Sequence, residues 1–120
     1  MEVTDAPCPI VRFNALVGGK YKLRVLWELR NGARRYGEIQ RALVEASGGA
    51  NVTPRVLSRE LRALASSQLV TRKQYPVIPP KVEYRLTRQG LALMGVMNAV
   101  CKWDEAERQP KRRSKVAFTG

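Results

Sequence analysis

Arg55, Ser58, Arg59 and Arg62 form the one group of side chains in this sequence whose types and spacing amount to a chemistry. At about 100° of helical rotation per residue, Ser58, Arg59 and Arg62 lie within roughly 60° of Arg55, and Leu57, Leu61 and Leu64 at roughly 180–240°. One face of such a helix is guanidinium and hydroxyl, the other aliphatic. A guanidinium offers a planar fork of donors that fits phosphate oxygens and guanine edges bidentately. An arginine-rich face on its own is also what a solvated structural helix carries, so the setting has to decide.

The setting is cationic. From Thr53 to Arg88 there are eight basic residues, Arg55, Arg59, Arg62, Arg72, Lys73, Lys81, Arg85 and Arg88, against Glu60 and Glu83, a net +6. Arg34, Arg35 and Arg41 add charge just upstream. The whole chain of 120 residues holds 22 Lys and Arg against 10 Asp and Glu, a net +12. That balance points to a polyanion, nucleic acid ahead of an anionic membrane surface.

Other chemistries are excluded by what is missing. There is no histidine, so Ser-His-Asp or Cys-His catalysis and His-ligated metals have no ligands or bases to use. Cys8 and Cys101 are too few for a disulfide scaffold or a structural zinc site. Gly18-Gly19-Lys20 is not a phosphate loop, because Asn14 stands where its leading glycine is needed and Tyr21 where its Ser or Thr is needed. A hinge, or close packing of the first two helices, is the expected reason for that glycine pair. We therefore expect no enzyme, no cofactor and no metal. No apolar run approaches the roughly 18 residues of a membrane span, and Met1-Glu2-Val3-Thr4-Asp5 is acidic rather than signal-like. The expectation is a cytoplasmic protein with no membrane partner.

Elements that could hold these residues are legible in the pattern. Pro9 to Val17 has helical apolar spacing, as do Lys20 to Asn31, stopped by Gly32, and Tyr36 to Ala46. Ser47-Gly48-Gly49-Ala50-Asn51 is a loop by composition. Thr53 suits an N-cap and Pro54 a first helical position, opening a helix to about Ser67. Leu69 to Tyr75 and Lys81 to Leu86 read as strands, and Pro76-Val77-Ile78-Pro79-Pro80 as the hairpin tip between them. Thr87 caps a long last helix, Arg88 to Glu107. The expected domains are an arm over 1–7, one winged helix-turn-helix unit over 8–107, and a basic tail over 108–120. The fold class is mainly α with a small β-hairpin wing.

The last helix is apolar over a wide arc: Leu91, Leu93, Met94, Val96, Met97, Val100, Cys101 and Trp103. A monomer's surface helix needs one stripe, so a homodimer is expected, with the first helix contributing. Cys101 in that arc reads as a buried hydrophobe. Cys8 precedes Pro9, which pushes it out of helical conformation and into the N-cap position. A thiol there faces the positive end of the helix, with Arg12 one turn on, and both favour thiolate. Cys8 is the redox-sensing candidate, weighed against an inert small side chain.

The sequence also resembles the HxlR-type family of bacterial winged helix-turn-helix transcriptional regulators. The resemblance rests on Cys8-Pro9-Ile10, Leu16-Val17-Gly18-Gly19-Lys20-Tyr21-Lys22, Arg35-Tyr36-Gly37-Glu38-Ile39, and Pro54-Arg55-Val56-Leu57-Ser58-Arg59-Glu60-Leu61-Arg62. Leu69-Val70-Thr71-Arg72 and the run from Tyr75 to Thr87 complete it, over about residues 8 to 103. The longer linker between Leu43 and Thr53 departs from the family, as does Tyr21 in place of tryptophan. The resemblance implies a dimeric DNA-binding regulator, in some members responsive to oxidants or electrophiles through the cysteine matching Cys8. Double-stranded DNA, as a palindromic operator, is the expected partner, its half-sites about one turn (roughly 34 Å) apart. Arg55, Ser58, Arg59 and Arg62 are the base-edge candidates, with Thr53 at the helix start. Lys73, Lys81, Arg85, Arg34 and Arg35 are the phosphate candidates. A small-molecule or oxidant effector is left open. The alternative is a non-specific architectural or RNA-binding protein using the same charge.

Overall fold

The structure, a computed structural model, describes residues 8–46 and 52–108. The arm over 1–7, the loop over 47–51 and the basic tail beyond Arg108 lie outside the described residues. The elements run α1 (Pro9–Val17), α2 (Lys22–Glu28), β1 (Arg34–Arg35), α3 (Tyr36–Ala46), α4 (Pro54–Ser66), β2 (Val70–Tyr75), β3 (Lys81–Leu86), α5 (Arg88–Ala92) and α6 (Met94–Glu107). The mainly helical fold with a β-hairpin is as read from the sequence.

Burial follows the apolar periods. Val25 and Leu26 of α2, Ile39 and Leu43 of α3, and Leu57, Leu61 and Leu64 of α4 are all buried in one core with Val52. Leu69, Val70, Tyr84 and Leu86 close it from the hairpin side. α4 starts where its cap residues dictate: the Thr53 hydroxyl accepts from the Val56 N–H at 3.2 Å, and Pro54 occupies the first turn. α3 starts on one half of a capping box, the Glu38 carboxylate accepting the Arg35 N–H at 2.9 Å.

Several expectations are corrected. A two-residue strand, β1, pairs antiparallel with β3, so the sheet has the order β1-β3-β2 rather than being a simple hairpin. α2 is shorter than Lys20 to Asn31. Its end tightens into i→i+3 bonds from Leu29 to Leu26 and from Arg30 to Trp27, and Gly32 at φ +133° turns the chain away. The helix expected over Arg88 to Glu107 divides at Leu93, whose N–H bonds back three residues to Gly90 at 3.1 Å. Gly90 and Gly95 flank that break, and glycine resists helix. The Gly18-Gly19 corner has a conformational cause rather than close packing of α1 on α2: Gly19 has φ +104°, and a Cβ on Gly18 would collide with the Asn14 carbonyl.

α5 is seated on the turn after α4 through Thr87. Its hydroxyl donates to the Gln68 carbonyl at 2.6 Å and accepts from the Gly90 N–H at 3.1 Å. A Cβ on Gly90 would collide with the Leu69 carbonyl and lie 3.1 Å from the Leu86 side chain. Gly90→Ala is therefore expected to lower the free energy of unfolding by about 1–3 kcal/mol. Gly95→Ala, where a Cβ meets nothing within 4 Å, is expected to raise it by about 0.5–1 kcal/mol. Urea denaturation of the two variants checks this, and equal shifts would remove the close-approach account of Gly90.

Candidate nucleic-acid interface

With its leucines inward, α4 turns Arg55, Arg59 and Arg62 outward, and all three are exposed. Ser58 is half-buried beside them. Tyr36 of α3 donates its hydroxyl to the Pro54 carbonyl at 2.8 Å, and its oxygen lies 3.2 Å from Ser58 Oγ. With the Tyr36 proton committed to Pro54, Ser58 is the donor in that contact, which leaves its oxygen an outward acceptor. Thr53 is committed to its capping bond.

Glu60 is the one buried charged residue among the described residues, at 7% exposure. Lys22 of α2 reaches it at 2.9 Å, and Arg59 Nη2 at 3.3 Å. So the exposed Arg59 at the middle of α4 and a lysine of the neighbouring helix share one carboxylate.

The wing holds a second such arrangement. Residues opposite one another in an antiparallel pair share a face. The pairs Lys73–Glu83, Tyr75–Lys81, Thr71–Arg85 and Arg35–Glu83 therefore put Arg35, Lys73, Lys81 and Arg85 on one face around Glu83. Lys73 and Lys81 lie over the Tyr75 ring, 4.9 and 4.6 Å from its centre, favourable positions for cation–π attraction. The Tyr75 hydroxyl donates to Glu83 at 2.8 Å, and Lys81 Nζ is 3.6 Å from the same carboxylate. That hydrogen bond, then the charges of Lys81 and Arg35, hold the Glu83 carboxyl below its usual range, and the bond to Glu83 raises the Tyr75 phenol. The depressed carboxyl contributes stability above its unfolded pKa, lost as pH falls through the folded value. The raised phenol contributes below its own, lost as pH rises. Glu83 accordingly stays ionised, and Tyr75 stays its neutral donor, through the neutral range.

Arg34 and Arg35, taken together from the sequence, are separated by the strand alternation. Arg34 pairs with Tyr84 and shares the opposite face with Arg72. Sequence reasoning missed Lys22, Tyr36, Glu60, Tyr75 and Glu83. In the sequence Tyr36 shows only as the first residue of an apolar-spaced helix, while Glu60, about 140° around α4 from Arg55, sits between the two faces that the period separates.

Cys8 is the N-cap residue of α1 and is exposed. Its thiol makes no capping hydrogen bond of good geometry, yet the N–H groups of Val11 and then Ile10 lower its pKa. Arg12 is not among the causes, contrary to the sequence reading. Cys101 is exposed rather than buried, because α6 leaves the core after Met97, its only buried residue. That departure leaves Ile10 and Val11 of α1, Leu91 of α5, and Val96, Val100 and Trp103 of α6 uncovered, Ile10 at 68% and Trp103 at 63% exposure. No helix among the described residues is long and apolar enough to cross a membrane.

Comparison with known proteins gives concordant matches. The profile of the HxlR-like helix-turn-helix matches residues 16–112. The chain is similar to MalR of Fusobacterium mortiferum, named as a regulatory protein, at 39% identity over 99 residues, 82% of this chain and 88% of that one. It is 40% identical over 88 residues to YkvN of Bacillus subtilis (strain 168), named as an HTH-type transcriptional regulator, covering 73% of this chain and 70% of that one. The redox regulator HypR in its oxidised form superposes with a TM-score of 0.74 at 31% identity, covering 85% of this chain and 99% of that one.

Proposed function

The chain belongs to the HxlR-like helix-turn-helix family and is a DNA-binding transcriptional regulator, and from that premise we propose how it reads DNA. Two copies bind a palindromic operator, each α4 entering the major groove and each wing following the backbone. The observation that carries this is the rotation of α4, which buries Leu57, Leu61 and Leu64 and exposes Arg55, Arg59 and Arg62 on one side. Arg55, Arg59 and Arg62 are the donors to base edges, and Ser58 supplies an acceptor suited to an exocyclic amine. Thr53 holds the start of the helix at the backbone. Lys73, Lys81, Arg85 and Arg35 face phosphates from the outer side of the wing, and Arg34 from the other.

The pairing surface is the uncovered apolar set on α1 and α6. An isologous interface through it gives the assembly a two-fold axis, and a two-fold protein reads a palindrome. The domain units are an arm over 1–7, a single DNA-binding and pairing unit over 8–107, and a basic tail over 108–120.

Cys8 is the site through which an oxidant acts on this binding. HypR is a redox regulator by name, and the exposed, thiolate-favouring position of Cys8 supports the same role here. The thiolate attacks a peroxide oxygen, forming the S–O bond as the O–O bond breaks, and the leaving hydroxide or alkoxide takes a proton from solvent, giving sulfenic acid and water or alcohol.

Arg59→Ala is expected to cost about 1–3 kcal/mol on the operator and to flatten sequence preference, whereas Lys81→Ala weakens specific and random duplexes alike and lowers the salt slope by about one. Titrations on both duplexes check this; two variants behaving identically would defeat the division of roles. Trp103→Glu is expected to convert the dimer to monomer in sedimentation, and a variant that sediments like wild type removes the proposed pairing face. Peroxide is expected to lower operator affinity about tenfold in wild type and in Cys101→Ser, and to leave Cys8→Ser unaffected. Equal loss in Cys8→Ser excludes Cys8 as the sensor.

A further inference from the structure

We infer that Glu60 is a positioning residue for DNA reading: held by Lys22 of α2, it aims the Arg59 guanidinium at the bases and away from phosphate. The inference rests on the proposed role of α4. A carboxylate is an unexpected residue for the recognition helix of a polyanion-binding chain, since it repels what the helix approaches. It is nevertheless the one buried charge among the described residues.

Its two contacts differ in kind. Lys22 Nζ lies at 2.9 Å, with only 21% of its side chain exposed, while Arg59 Nη2 lies at 3.3 Å with 66% exposed. The first contact is short and shielded, so it fixes where the carboxylate sits relative to α2. The second is longer and open to solvent, and exposed pairs of that kind hold weakly. Residues one apart on a helix do not face each other, so Arg59 bends back across α4 to make the contact. An unrestrained arginine at that position reaches the nearest phosphate, which lies beside every base pair and carries no sequence information. Held through Nη2 on Glu60, the Arg59 guanidinium is kept against α4 rather than extended toward a flanking phosphate, and its remaining N–H donors can meet a base edge.

The test measures affinity for two duplexes, one enriched from a random pool by wild-type protein and one of scrambled sequence, across a salt series. Wild type must first prefer the enriched duplex; without that preference it is the operator-binding reading that fails, not this one. Glu60→Gln is expected to lower the preference about tenfold. It should also tighten binding to the scrambled duplex and steepen its salt slope by about one, as Arg59 moves to a phosphate. Lys22→Gln, which removes a positive charge instead, is expected to lower the preference similarly while weakening the scrambled duplex. Lys22→Arg restores the preference. A merely structural role lowers both affinities together with the melting temperature, and a merely repulsive role shifts both duplexes equally with the sign of the charge change. Either pattern, or an unchanged preference in both Gln variants, overturns the proposal.

Discussion

The rotational setting of α4 is the constraint on which the rest depends. Turning that helix over would expose Leu57, Leu61 and Leu64, each now essentially fully buried, at about 1.5–3 kcal/mol apiece. It would also push three guanidiniums into the core, where an unpaired charge costs several kcal/mol more. Both terms have the same sign and neither is small beside the 5–15 kcal/mol stability of a typical domain. The outward direction of Arg55, Arg59 and Arg62 is therefore set by what lies behind them. Thr53, Tyr36 and Lys22 then fix the remaining freedoms: where the helix starts, how its first turn lies against α3, and how its middle lies against α2.

Two carboxylates organise the cations, and the physical reason is the same at both places. A surface of unopposed positive charge would leave long side chains sweeping freely, and each would lose rotamer entropy on meeting DNA. Glu83 with the Tyr75 ring gathers Lys73 and Lys81, and Glu60 gathers Arg59 and Lys22. The exposed pairs among these are worth about 0–1 kcal/mol, so a wing lysine can pass to a phosphate and Arg59 to a base edge at little cost, while the shielded Lys22 stays on Glu60. The acids restrain the cations without competing strongly for them. Their presence also explains why net charge alone, +12 for the chain, says so little about how sequence is read.

Wherever the signal is local, the sequence was sufficient. Thr53-Pro54 and Thr87 cap helices because their own side chains or rings satisfy the first turn. β3 alternates over six residues, long enough for a period of two to be recognised. What escaped was decided by tertiary partners. β1 has two residues and no period, so its pairing to Tyr84 and Glu83, which splits Arg34 from Arg35, has no local signature. Glu60 looked like an ordinary polar position between faces until α2 supplied Lys22. Cys101 shares the apolar arc of α6, an arc too wide for one core to cover. Its individual members could not be sorted into inner and outer sides without the direction in which α6 leaves Met97.

The arithmetic of specificity bears on the uncovered faces of α1 and α6. A well-made bidentate base contact discriminates by about 1–3 kcal/mol, and α4 offers three arginines and one serine for the purpose. Geometry seldom lets all of them engage at once, so one copy supplies a few kcal/mol. Regulators commonly need about 4–10 kcal/mol between their site and bulk DNA, which lies at or beyond the reach of a single short helix. A second copy doubles the contacts, and because the two are joined, the second α4 binds at a high effective concentration. In the pairing proposed above, the apolar side chains that a lone chain leaves in water, Ile10, Val11, Val96, Val100 and Trp103, would supply the association free energy for reading DNA with so small a recognition helix.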